Sequence, residues 1–179
     1  GGTTVPLEVE PSATMALGLS RSPIWRWEVR GFLRGDLLRQ QVEQPLAFVE
    51  PYRPGRIPVV FVHGTASSAG RWADMVNDLW SERYMREHYE VWVFSYDTGN
   101  PVAYSARSLR RALRQAVREV DPDGRDPCLR SMVVVGHSQG GLLTKMTAIE
   151  TGDRLWNGFA SRPLDQMHLP EKGRRLIEE

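Results

Sequence analysis

A chain of 179 residues is long enough for one substantial hydrophobic core and too short for two full domains. Its 41% hydrophobic and 25% charged residues are ordinary for a globular fold, and a net charge of +1 gives no reason to expect nucleic acid as a partner. No apolar stretch approaches the ~18–20 residues of a membrane span, and the single Cys128 excludes an internal disulfide without naming a compartment.

The opening residues G-G-T-T-V-P-L-E lack an initiator methionine, a basic segment and an apolar segment, so the chain is expected to start inside a longer reading frame. Localisation is therefore left open. Within residues 1–44, an N-terminal extension or the start of the domain, Ser22-Pro23 has the form of a helix start. Trp25, Val29, Phe32 and Leu33 would then share one helix face, although Trp25, Trp27 and Val29 also alternate as in a strand. Leu46–Glu50 reads as an edge strand entering the Pro- and Gly-rich P-Y-R-P-G-R-I-P.

Three apolar runs follow: I-P-V-V-F-V, V-W-V-F and M-V-V-V. They are rich in β-branched and aromatic residues and do not alternate with polar ones. Strands buried on both faces of a parallel sheet have this pattern, placed here around 57–62, 91–95 and 132–136. Parallel strands need crossovers. Between the first two runs, Trp72, Met75, Val76, Leu79 and Trp80 recur at helical spacing. Between the second and third, Leu109, Leu113, Ala116, Val117 and Val120 form one helix face. Arg107, Arg110, Arg111, Arg114 and Arg118 form the other, read as a solvated face in preference to a surface for anionic membranes or substrates. After the third run, Leu142, Met146 and Ile149 fall at i, i+4 and i+7, with Gly152 suited to a C-cap. The order β-α-β-α-β-α predicts an α/β domain over 45–152.

The third run leads into G-H-S-Q-G-G, residues 136–141. A G-x-S-x-G pattern between a buried strand and an amphipathic helix is the context of a nucleophile elbow. The chain must reverse tightly at Ser138, in a strained conformation that lifts the hydroxyl clear of the sheet. Gly136 and Gly140 then leave room where strand and helix backbones pass closest. The helix N-terminus favours negative charge beside the serine. A second motif, V-H-G-T, ends the first run at residues 62–65, where a loop could bring a further backbone N–H to the same place.

These two motifs, in this order, resemble the α/β-hydrolase family, and within it bacterial lipases and esterases. The resemblance implies that Ser138 is the nucleophile and that the backbone N–H groups of Thr65 and Gln139 form the oxyanion hole. It makes His63, Gly64, Gly136, His137 and Gly140 supporting residues, neither histidine being a proton carrier. Asp97, in the Y-D-T-G-N-P-V segment, precedes the serine, whereas the family order is serine, acid, histidine. A loop or helix cap is the better assignment for it.

A serine nucleophile needs a base and a carboxylate to orient that base. Downstream of Ser138 stand only Asp153, Asp165 and His168 as candidates, in a stretch (153–179) without any strand-like run. That stretch reads as short amphipathic helices or a lid-like segment, with Trp156, Phe159, Leu164 and Leu169 as apolar contacts. His168 has no regular route back to the serine. The expectation is thus the N-terminal portion of an α/β-hydrolase fold, with the late strands, acid and histidine lying in sequence beyond this chain and an exposed sheet edge left behind. The expected activity is serine-dependent hydrolysis of a carboxylic ester on a small-molecule or lipid substrate, without cofactor or metal. Thioesterase, amidase or acyltransferase chemistry with the same nucleophile, or a non-catalytic binding module, are the alternatives.

Overall fold

The computed structural model describes residues 45–150, 152–171 and 173–174. The readings made for residues 1–44 lie outside the described residues. Four strands form one sheet: β1 (Leu46–Phe48), β2 (Ile57–Val62), β3 (Tyr89–Phe94) and β4 (Val133–Gly136), in the order β1-β3-β2-β4. β2 pairs in parallel with both β3 and β4, and β1 runs antiparallel along β3, so the sheet is mixed.

The unalternating runs of β2 and β3 follow from burial on both faces. Val60, Val62, Trp92 and Phe94 point to one side, where they pack with Ala106, Leu109, Ala116 and Leu129 and with Leu143. Val59, Phe61 and Val91 point to the other and meet Trp72, Val76 and Trp80. The helices behind these contacts are α1 (Ala73–Ser81) on the second side, and α3 (Val102–Val120) and α4 (Gln139–Ala148) on the first; the short α2 (Arg83–His88) precedes β3. The result is a three-layer α/β/α arrangement, the architecture that the strand–helix alternation predicts.

Several boundaries differ from the sequence reading. β3 starts at Tyr89 because the side chain of Glu90, polar but buried, finds two donors: the Trp92 indole N–H at 3.0 Å and the Arg53 backbone N–H at 3.2 Å. Burial raises its pKa, partly offset by those bonds. Met132 is the cap of a 3₁₀ turn over Pro127–Ser131, which delays β4 to Val133. The helical run starting near Trp72 is interrupted at Glu82, which takes an extended conformation between α1 and α2. Within α1, Met75 is exposed while Val76 and Trp80 are buried.

Two expectations for the helix after the serine are corrected. Leu142 and Ile149 are 54% and 43% exposed, so they do not form its inward face; Leu143 is the fully buried residue, with Met146 packed beside it. The elbow sets the rotation of α4, and that rotation aims position 143 into the core. Gly152 is not the cap, because α4 ends at Ala148 with Ile149 already extended. Past it, α5 (Arg154–Phe159) and a 3₁₀ turn at Leu164–Gln166 occupy the last described stretch, which among the described residues contains no strand.

The register positions the site. Val62 stands opposite both Phe94 and Gly136, so the three parallel strands end side by side. The loops that follow them, from His63, Ser95 and His137, open at one edge of the sheet, the place where open α/β sheets carry ligand crevices.

Candidate active site

β4 delivers the chain to the elbow with its ladder intact: the His137 N–H donates to the Val62 carbonyl at 3.0 Å. Ser138 then takes φ 54 and ψ −122. Such a conformation is rare for a residue with a side chain and costs about 1–3 kcal/mol, so the surroundings must impose it. They do so at once. Gly140 N–H bonds the His137 carbonyl and Gly141 N–H bonds the Ser138 carbonyl, both at 2.9 Å, closing the reversal into α4.

Serine is common at helix N-caps because its hydroxyl accepts a bond from the first-turn amides. Ser138 occupies the N-cap position of α4, yet its side chain makes no capping bond. It is exposed, and among the described residues its hydroxyl has no partner. With the backbone in this conformation the hydroxyl is not used in capping. Chemically this is an accessible hydroxyl held at the positive end of a helix.

The loop after β2 comes against it. Gly64 is buried, and a Cβ built there would stand 2.9 Å from the Ser138 Cβ and 3.0 Å from the His137 carbonyl oxygen. Beyond Gly64, the Thr65 hydroxyl donates to Gln139 Oε1 at 2.9 Å, tying the two loops together. The backbone N–H groups of Thr65 and Gln139 have no acceptor among the described residues. Both N–H groups are thus left open, one next to Ser138 in the chain and the other next to Gly64, the residue packed against Ser138.

A family model described as "Alpha/beta hydrolase family" matches residues 59–176, more than half of the chain. The chain belongs to the alpha/beta hydrolase family. No curated protein and no solved structure gives a significant match.

Within this hydrolase, His63 is fixed in place. Its ring is buried and stacks on Tyr96 with centroids 4.6 Å apart. The Tyr96 backbone N–H donates to Nε2 at 3.4 Å, which leaves Nδ1 to donate to the Gly64 carbonyl at 3.0 Å. Burial lowers its pKa and favours this neutral form. The Tyr96 hydroxyl donates to the His63 carbonyl at 2.9 Å, and burial pushes its pKa up to about 12, so it remains a donor. Tyr96 opens the Y-D-T-G-N-P-V segment, whose place after β3 puts it on the rim where the parallel strands end; its part in holding His63 is what the sequence did not announce.

His137 is exposed and meets the Trp72 ring edge-on at 6.5 Å. Asp97 closes its own loop, accepting the Gly99 N–H at 2.8 Å, the local capping assigned from the sequence. His168 is exposed, and among the described residues no hydrogen bond, ion pair or ring contact joins it to Ser138; Asp153 and Asp165 are exposed as well. No group of three or more His, Cys, Asp or Glu side chains is placed to hold a metal ion among the described residues. A cavity of about 450 Å³ between Tyr52, Gly55, Val120 and Asp126 opens near the start of β2, at the end of the sheet away from the elbow.

Proposed function

We propose that this hydrolase acts on carboxylic esters of small molecules or lipids through an acyl-enzyme on Ser138. The carrying observation is the exposed Ser138 residue at φ 54, its hydroxyl released from capping, and the reading is supported by the Thr65 and Gln139 amides being without an acceptor among the described residues. Ser138 Oγ attacks the ester carbonyl carbon while its proton passes to a base. The carbonyl π pair moves to oxygen, and that oxyanion accepts from the two amides. Collapse of the intermediate expels the alkoxide, which takes the proton, and leaves the acyl group on Ser138. Water repeats the sequence to release the acid. Preorganised donors of this kind are worth about 10²–10³ each in rate.

The base and its orienting acid are the remaining requirements, and the described residues do not hold them at Ser138. His63 has both ring nitrogens engaged. That same observation favours a second reading, a hydrolase-fold module that binds without turnover, and it also predicts low activity for residues 1–179 alone.

The test is labelling of the protein expressed from its complete reading frame with a fluorophosphonate probe, beside Ser138→Ala. Labelling that disappears in Ser138→Ala is the expected result; a wild-type protein that stays unlabelled supports the binding module instead. Robust Ser138-dependent turnover of a p-nitrophenyl ester by residues 1–179 would mean that the base lies within them.

A further inference from the structure

The loop after β3 contacts both halves of the elbow site through one residue. The Thr98 hydroxyl accepts from the Ala66 N–H at 3.3 Å, and the Thr98 carbonyl accepts from Gln139 Nε2 at 3.4 Å. Gln139 in turn accepts the Thr65 hydroxyl on its Oε1 at 2.9 Å. Ala66 sits at φ 52, so the loop carrying Thr65 is itself in a conformation that needs support.

These bonds form a closed ring: Thr65 side chain to Gln139 side chain, Gln139 to Thr98 backbone, Thr98 side chain to Ala66 backbone, and Ala66 to Thr65 through the chain. The carboxamide of Gln139 uses both its ends, one accepting and one donating, and hydrocarbon of equal length could replace neither. The two amides proposed as the oxyanion hole belong to members of this ring. Each is otherwise held by a loop on a different strand, so their relative position depends on cross-links between loops.

We infer that Gln139, through its side chain, and Thr98 are positioning residues that fix the distance between the Thr65 and Gln139 amides. The inference rests on the nucleophile reading above. Amides set in advance need no reorganisation as charge develops on the substrate oxygen, and small misplacements are costly. Loosening the ring should therefore weaken transition-state binding more than substrate binding.

The experiment uses the protein from its complete reading frame with Gln139→Met, Thr98→Val, Thr65→Val and the Thr65→Val/Gln139→Met double variant, all of which retain the backbone N–H groups. Second-order fluorophosphonate labelling of Ser138 should fall roughly tenfold in Gln139→Met and less in Thr98→Val, short of the ~10²–10³ expected for deleting a donor. With a p-nitrophenyl ester, kcat should fall and KM stay near the wild-type value. The double variant should be no slower than Gln139→Met, because both substitutions break one shared bond. A wild type labelled at Ser138 with variants labelled equally fast overturns the positioning role alone, as do losses that simply multiply in the double variant. A wild type that is not labelled overturns the nucleophile reading and this inference together.

Discussion

The α-carbon of Gly140, on α4, lies against the carbonyl oxygen of His63 at the end of β2: a methyl group built at Gly140 would stand 2.5 Å from that oxygen. Gly136, at the end of β4, faces the helix in the same close way, its absent Cβ falling 2.6 Å from the Gly141 nitrogen. These neighbours are backbone atoms and cannot rotate aside. Gly140→Ala and Gly136→Ala should each destabilise by about 1–3 kcal/mol or more, the range for overpacking a close-packed site. Urea denaturation should show lower midpoints with unchanged slopes. Gly158→Ala, at a helical position with open space around it, is the control and should be neutral or stabilising by up to about 1 kcal/mol.

Strain at Ser138 predicts a conflict between stability and chemistry. A glycine there would adopt φ 54 without the Cβ clash, whereas alanine would keep it. Ser138→Gly should therefore be more stable than Ser138→Ala by about 1 kcal/mol, despite the greater freedom glycine gives the unfolded chain. Both should be unlabelled by fluorophosphonate. Equal stabilities in paired denaturant melts would mean that position 138 carries no strain.

The pattern of legibility follows from this chemistry. β2, α3 and the elbow could be read from the sequence because their signals are local: an apolar run buried on both faces, a 3.6-residue stripe, and glycines at fixed offsets from one serine. The inward face of α4 could not. Leu142 and Leu143 are equivalent in hydrophobicity, and only the angle at which the elbow launches the helix decides that Leu143 is buried. Glu90 misled the reading of β3 because its burial depends on Arg53, 37 positions away in the chain. Thr98 was hidden for the same reason: nothing within the β3 loop announces that its partners are Ala66 and Gln139.

A buried carboxylate at the other end of the sheet gives a prediction with a defined pH window. Asp126 accepts the Tyr52 hydroxyl at 2.6 Å and the Gly55 and Cys128 N–H groups at 2.9 Å each. Burial opposes its charge, but these hydrogen bonds outweigh burial and hold its pKa below the ordinary aspartate value. Burial, with Asp126 beside it, pushes the Tyr52 pKa upward, so the phenol remains a donor at neutral pH. Tyr52→Phe should cost about 1.5–3 kcal/mol at pH 7, the worth of a hydrogen bond to a charged acceptor. A carboxyl with a depressed folded-state pKa stabilises the fold above its unfolded pKa, and loses that contribution as pH falls. The gap between wild type and Tyr52→Phe should therefore narrow below about pH 4, near the unfolded aspartate value. A gap that stays constant from pH 7 to pH 3 would separate the Tyr52 contribution from the Asp126 charge.

His63 supplies the corresponding prediction near neutrality. Its ring accepts from the Tyr96 N–H through Nε2 and donates to the Gly64 carbonyl through Nδ1, a pairing available only to the neutral form. Burial lowers its folded-state pKa, so the unfolded chain takes up a proton first as pH falls. Stability from this group is complete above the unfolded histidine pKa of about 6.5 and is lost progressively below it. The melting temperature should thus fall between pH 7.5 and pH 5.5, and His63→Gln, less stable at pH 7.5, should show a smaller fall over the same interval. Protonation would also place a charge beneath Gly64, on the loop that carries Thr65, so fluorophosphonate labelling of Ser138 should slow as the fold loosens. An identical pH dependence of melting in wild type and His63→Gln would show that the buried ring does not couple protons to folding.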